Sequence, residues 1–203
     1  GRLPPLTPEG QQRADARAQT RRERGPYDSF EDRPLAERCI IYRGVPAFPT
    51  GYNNNYHIVQ APGYVAILNE MIHDVRVVPL DARPPVDGRI RQWNGDSRGH
   101  WENDTLVVET TNYRDPTTWR GFPGSRALRA VERFTRVDAD TIDYRYTIDD
   151  ETTYTRPFTV ELPLTSPAGY VIYEYACHEG NISIAHVLIG ARAQEKTARE
   201  GGR

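Results

Sequence analysis

The residues of this chain best suited to chemistry are His178 and Glu179. They stand between an alternating aromatic run, Tyr173-Glu174-Tyr175-Ala176-Cys177, and the pair Gly180-Asn181. An imidazole titrates close to neutral pH and serves as general acid or base, with a carboxylate fixing its tautomer. Glu179 or Asp96 is placed to do this for His178, and a helix opening after Asn181 would offer N–H groups to an anion. His73 and Asp96 complete the expected catalytic set. The chemistry implied is hydrolysis or a lyase reaction without a serine nucleophile, since no GxSxG elbow occurs.

The residues expected to hold a substrate lie in two polar loops and one strand. Asn94-Gly95-Asp96-Ser97-Arg98-Gly99-His100-Trp101 is a glycine-punctuated loop entering a strand. Arg98 and His100 would orient a carboxylate or sugar hydroxyl, and Trp93 and Trp101 would offer stacking faces. Asn55 and His57, in Asn53-Asn54-Asn55-Tyr56-His57, would line the mouth of a barrel, and Glu70 would face the same space. Each has a plainer reading. His73 can be a hydrogen-bonded core histidine, Glu70 and Arg76 a charged surface stripe, and Asp96 the side chain of a structural turn. His57, His73, His100 and His178 lack the HExxH or short paired spacing of a zinc site, so no metal and no cofactor is expected.

The elements that must position these groups are mostly strands. From Tyr56 the apolar pattern has period two, with candidates at Tyr56–Gln60, Tyr64–Leu80 (long enough to require a bend or bulge), Gly99–Glu102, Thr105–Asn112, Leu128–Val137, Thr141–Asp149, Thr155–Leu164 and Tyr170–Cys177. Short polar turns at 61–63, 103–104 and 138–140 join antiparallel neighbours. The fold class is therefore mainly β: an antiparallel meander forming a lipocalin-like barrel or a two-sheet sandwich. Within Tyr64–Val78 the set Val65, Ile67, Asn69, Met71, His73, Val75, Val77 is the more apolar and is expected to face the packed layer.

Helices flank this meander. Thr7-Pro8-Glu9 starts an N-terminal helix that ends at Gly25-Pro26. It has almost no large apolar residue to pin it to its own core, so residues 1–36 read as an arm that docks on a second copy, giving a homo-oligomer. A Pro/Gly-rich passage, Gly44–Asn55, reads as loop. Ile182–Arg192 sets Ile184, Val187, Leu188 and Ala191 on one helical face to cover a barrel end, with Asn181 as its cap. The organisation is an arm at 1–36, a β domain with its C-terminal helix at 37–193, and a polar tail at 194–203.

Composition narrows the classes. A net charge of −2 argues against nucleic acid as partner. All but one of the 26 basic residues are arginine, the exception being Lys196. No run reaches the ~18 apolar residues of a membrane span. The chain opens without methionine, as a mature or trimmed product would, and carries two cysteines, Cys39 and Cys177, on opposite sides of the strand region. In an exported chain these are expected to form a disulfide.

The stretches RQWNGDSRGHWENDTLVVETTNY (Arg91–Tyr113), YEYACHEGN (Tyr173–Asn181), PLTPEGQQRADA and GYVAILNEMIHDVRVVPLD resemble a large group of secreted bacterial proteins of unknown function. The resemblance covers most of the chain and implies secretion, or a periplasmic location, and a common fold. It transfers no site residues. The function expected is a secreted hydrolase or lyase acting on a small polar or carbohydrate-like substrate. Alternatives are a subunit of an extracellular homo-oligomeric assembly held by its arm, and a non-catalytic binder of a small polar or glycan ligand. Convergence of His73, Asp96, Arg98 and His178 in one pocket would favour the enzyme. A cavity with aromatic lining and no titratable pair would favour the binder.

Overall fold

The computed structural model describes residues 3–42, 46, 52–114 and 124–201. Much of the Gly44–Asn55 passage lies outside these. Among the described residues eight strands form two antiparallel sheets, consistent with a two-sheet sandwich and without a closed barrel. The first sheet holds β1 (Tyr56–Ala61), β2 (Tyr64–Asn69) and β3 (Asp74–Pro79). The second holds β4 (Asp96–Glu102), β5 (Thr105–Thr111), β6 (Arg129–Arg136), β7 (Thr141–Asp149) and β8 (Phe158–Thr165), each beside its neighbour in sequence. The edges of β3 and β4 meet at Gly99. A side chain there would strike Val78 and Leu80, at 2.7 and 2.8 Å from the added Cβ, so glycine is required for the approach.

Cross-strand partners share a face, so the register defines the core. On the five-stranded sheet Leu106, Phe134, Tyr144 and Leu162 form one inner row, and Val108, Glu132, Tyr146 and Val160 form the next. On the other sheet Val65 pairs with Val78 and Ile67 with Arg76. These residues enclose one apolar core that contains a charged pair. Arg76 donates through Nη2 to Glu132 Oε1 at 3.0 Å and through Nη1 to Oε2, while Tyr144 OH donates to Oε1 at 2.7 Å. Glu132 is wholly buried.

Arg76 reaches that carboxylate because Tyr64–Leu80 does break, and the break reverses the faces. Glu70 to His73 form a short turn with Ile72 at φ 66° and His73 at φ 43°. Up to Ile67 the expected set points inward. Beyond the turn Val75 and Val77 are more than half exposed, and Asp74, Arg76 and Val78 face the core instead. The expected alternation therefore fails after Met71, and His73 is an exposed residue, not a core histidine.

Two further expectations are corrected. Tyr170–Cys177 joins no ladder despite its alternation. The C-terminal helix α2 runs from Ser183 to Gly201, so the polar tail from residue 194 is helical. Its polar contacts run to the N-terminal segment: Arg192 donates to Tyr27 O and Asp28 O, and Asn181 Nδ2 to Glu37 O.

The N-terminal helix α1 (Pro8–Glu23) is pinned in cis by polar contacts. Thr7 N donates to Thr153 O at 3.0 Å, Arg13 Nη2 to Thr152 O at 2.8 Å and Thr153 Oγ1 at 2.7 Å, and Leu6 bridges Tyr154. The lack of apolar residues thus gives no reason for a second copy. Cys39 and Cys177 form the expected disulfide, closing a separation of 138 residues. Among the described residues no helix is long and apolar enough to cross a membrane.

Breaking the charged pair should be far worse than replacing it. Glu132→Ala should destabilise by about 3–5 kcal/mol, because Arg76 is left buried without a counter-charge, whereas Arg76→Met with Glu132→Leu should fall within about 2 kcal/mol of the parent. Chemical denaturation of the three proteins measures both. Equal losses in the single and double variants would refute the role given to the pair.

Candidate functional site

A groove of about 950 Å³ lies between the sheets at one end of the sandwich. Its floor is apolar, made by Ile58, Val65, Leu106, Phe134, Ile142 and Leu162. The register explains this: Leu106, Phe134 and Leu162 share an inner row, and Val65 and Ile58 belong to the facing sheet. One rim is Asn54, Asn55, Tyr56 and Tyr170, and the other is the turn end with Asp104, Arg136 and Asp140. Arg136 is drawn back to its own turn, donating to Asp138 O at 3.0 Å and Ala139 O at 2.8 Å.

Three of the residues expected to bind substrate line this groove: Asn55, His57 and Trp101. Glu70 lies beneath the rim and organises it. Its side chain is buried and accepts from Asn55 Nδ2 at 2.7 Å and from Tyr170 OH. Glu70 is therefore neither a surface stripe nor paired to Arg76. Burial alone would raise its pKa, but hydrogen bonds from Tyr170, from the side chain and backbone of Asn55 and from Asn53 outweigh burial and hold it below the ordinary value.

The other expected residues stand elsewhere, and the groove is lined by none of His178, Glu179, His73, Asp96 or Arg98. Asp96 accepts from Val86 N at 2.8 Å and from Arg98 Nη1 at 2.6 Å, and Arg98 Nε donates to Pro84 O at 3.1 Å. This pair fastens the loop before β4. Asp96 thus opens β4 and bonds across to Val86, ten residues earlier, which is not the Asx turn of the plainer reading. His73 Nδ1 lies 2.8 Å from Tyr175 O, fixing the segment that leads to Cys177. His178 and Glu179 are exposed on the turn after the disulfide. His100 faces Glu102 at 3.2 Å on the exposed side of β4, and Trp93 stacks under the Arg114 guanidinium at 4.4 Å. Among the described residues no three His, Cys, Asp or Glu side chains cluster as metal ligands would.

Sequence reading missed most of the floor and the turn-end rim. Leu106, Phe134 and Leu162 read as ordinary inward strand residues, and only their shared row at an uncovered sheet end makes them a floor. Asp104 and Asp140 read as turn residues. No family model, no curated protein and no solved structure matches this chain.

Glu70 makes the rim acid-sensitive in a defined sense. Its folded-state pKa lies below the usual value near 4.5, so its contribution to stability is complete above that pH and is lost as pH falls through the folded value. In Glu70→Gln the decline of stability with acidification below about pH 4.5 should be shallower, as denaturant midpoints measured across pH 3 to 6 would show. An unchanged slope would contradict the bonding described.

Proposed function

We propose that this is an exported, non-catalytic binding protein that holds a ligand with an apolar body in the groove between its sheets. The observation that carries the reading is the composition of the groove: an apolar floor, aromatic and amide side chains at one rim, and none of the expected catalytic groups. Pockets that hold small molecules are concave and largely apolar, with a few polar groups fixing orientation. A hydrolase or lyase built on His178 or His73 would need that side chain beside the bound molecule, and neither lines the groove. Export is supported by the disulfide, since such bonds persist in oxidising compartments, and by the resemblance to secreted proteins.

The glycan expected from the sequence gives way here to a less polar ligand. A sugar buried against Leu106, Phe134 and Leu162 would lose hydration at hydroxyls with too few partners to replace it.

An anilinonaphthalene sulfonate dye should fluoresce on binding the folded protein. Its affinity should fall about tenfold or more in Leu162→Glu, which puts a charge on the floor, and stay unchanged in Val77→Glu on the outer face of β3. Thermal unfolding confirms that both variants are folded. Loss of dye binding in Val77→Glu alone would place the apolar surface outside the groove and overturn the reading.

A further inference from the structure

We propose that the ligand of this groove is an extended peptide, added as a β-strand between β1 and β8 with a basic N-terminal end against Asp104 and Asp140. The proposal rests on the binding reading above and names its ligand class. Its first support is which residues line the groove. On β1 these include the consecutive Tyr56, His57 and Ile58, and on β8 the consecutive Leu162, Pro163, Leu164 and Thr165. Neighbouring residues of a strand point to opposite faces. A cavity that touches each of them in turn reaches the strand's edge as well as its inner face.

The backbone at those edges has the right polarity. Glu70 N donates to Asn55 O at 3.0 Å, and the register steps by two from that pair, so His57 and Val59 bond to β2. Ile58 and Gln60, between them, turn N–H and C=O outward from the sheet. On β8, Ser166 N donates to Asp140 O at 2.8 Å, so the even-numbered residues bond to β7. Thr165 then presents its N–H and C=O outward, and Pro163, which has no N–H to give, sits at an outward position. No strand among the described residues lies beyond β1 or β8.

The two edges run the same way. Gln60 and Thr165 both lie toward the turn end with Asp104 and Asp140. One added strand can therefore run antiparallel to both, the more stable pairing. A peptide in that direction brings its N-terminus to the turn end. Asp104 and Asp140 are exposed there, and Arg136 is engaged by its own turn. An N-terminal amine or a leading arginine complements this charge.

The chain's own β-prone segment does not fill the slot. It is held by Tyr170 OH on Glu70, by His73 on Tyr175 O and by the disulfide at Cys177, and it leaves Val171 and Tyr173 64% and 72% exposed. Strand addition uses main-chain hydrogen bonds for affinity and alternate side chains for selectivity.

The test uses the full chain and a pool of C-terminally fluorescein-labelled heptapeptides, arginine first, with Val, Ile, Leu or Phe alternating with Ser or Thr. Fluorescence anisotropy should report binding. Methylating alternate peptide nitrogens should weaken it about tenfold or more, since the added ladder loses its donors. Asp104→Asn with Asp140→Asn should weaken it by about threefold or more, with less effect at high salt. Hydrogen exchange should slow at the Ile58 and Gln60 amides. Equal binding of the methylated pool, or protection at Val171 and Tyr173 instead of β1, overturns the proposal. Dye binding without peptide binding ends the peptide assignment and leaves the groove reading standing. Failure of both removes both.

Discussion

The bidentate contact between Arg76 and Glu132 is the constraint to which the rest of the structure conforms. Glu132 lies in the middle of the inner face of the larger sheet, where an uncompensated carboxylate would be prohibitive. Arg76 reaches it through the turn at Glu70–His73, which exchanges the two faces of the chain between β2 and β3. That turn places a β-branched residue, Ile72, at φ 66°, a conformation costing of order 1–3 kcal/mol. Breaking a buried ion pair costs more than that, so the strained turn is retained. The same turn buries Glu70 and Met71 and so sets the level of the groove's rim. The Tyr113 phenol is pushed up in pKa first by burial and then by the nearby Glu132 carboxylate.

Buried acids recur as fastening points, which is how a chain with only 37% apolar residues closes a core. Glu70 gathers Asn55 and Tyr170, and Asp96 gathers Val86 and Arg98. Asp150 accepts from Ser125 N at 2.8 Å, Ser125 Oγ at 2.7 Å and Thr153 Oγ1 at 2.8 Å. Thr152 and Thr153 in turn receive Arg13 and Thr7 of the N-terminal segment. Gly10 is buried there, and a side chain on it would stand 2.4 Å from Thr153 O. Hydrogen bonds to buried charge are stronger than neutral ones, so a polar arm can be held without a hydrophobic face.

These devices mark where sequence reading worked and where it failed. Period two and short turns located seven segments that overlap all eight strands, Tyr64–Leu80 supplying two, because alternation and tight turns are local signals. The face exchange after Met71 was not legible: it comes from a φ value imposed by a partner on β6, far away in the chain. Asn55, His57 and Trp101 were found because polar loops and exposed aromatics at strand ends advertise a cavity mouth. Asp96 and Arg98 looked equally suitable, and only their bonds to Val86 and Pro84 assign them to fastening a loop. His178 and Glu179 drew attention by residue type, and type alone does not place a side chain beside a cavity.

Tyr170–Cys177 shows how tertiary context overrides a strong local preference. Its alternation and aromatic content are those of a strand, and a strand is what the gap beside β8 lacks. Leaving β8 at Thr165, the chain instead gives Tyr170 to Glu70, the Tyr175 carbonyl to His73 and Cys177 to Cys39. The last of these closes a separation of 138 residues, a constraint worth up to about 5 kcal/mol through the entropy of the unfolded chain. The segment is held by these tethers and pairs with neither strand, although Tyr170, Val171 and Ile172 line the groove. Among the described residues no strand pairs with the outer edges of β1 and β8. Natural sheets usually blunt such edges, and among the described residues Pro163 does so on β8. An edge held open by three separate tethers reads as a feature of the design of the groove.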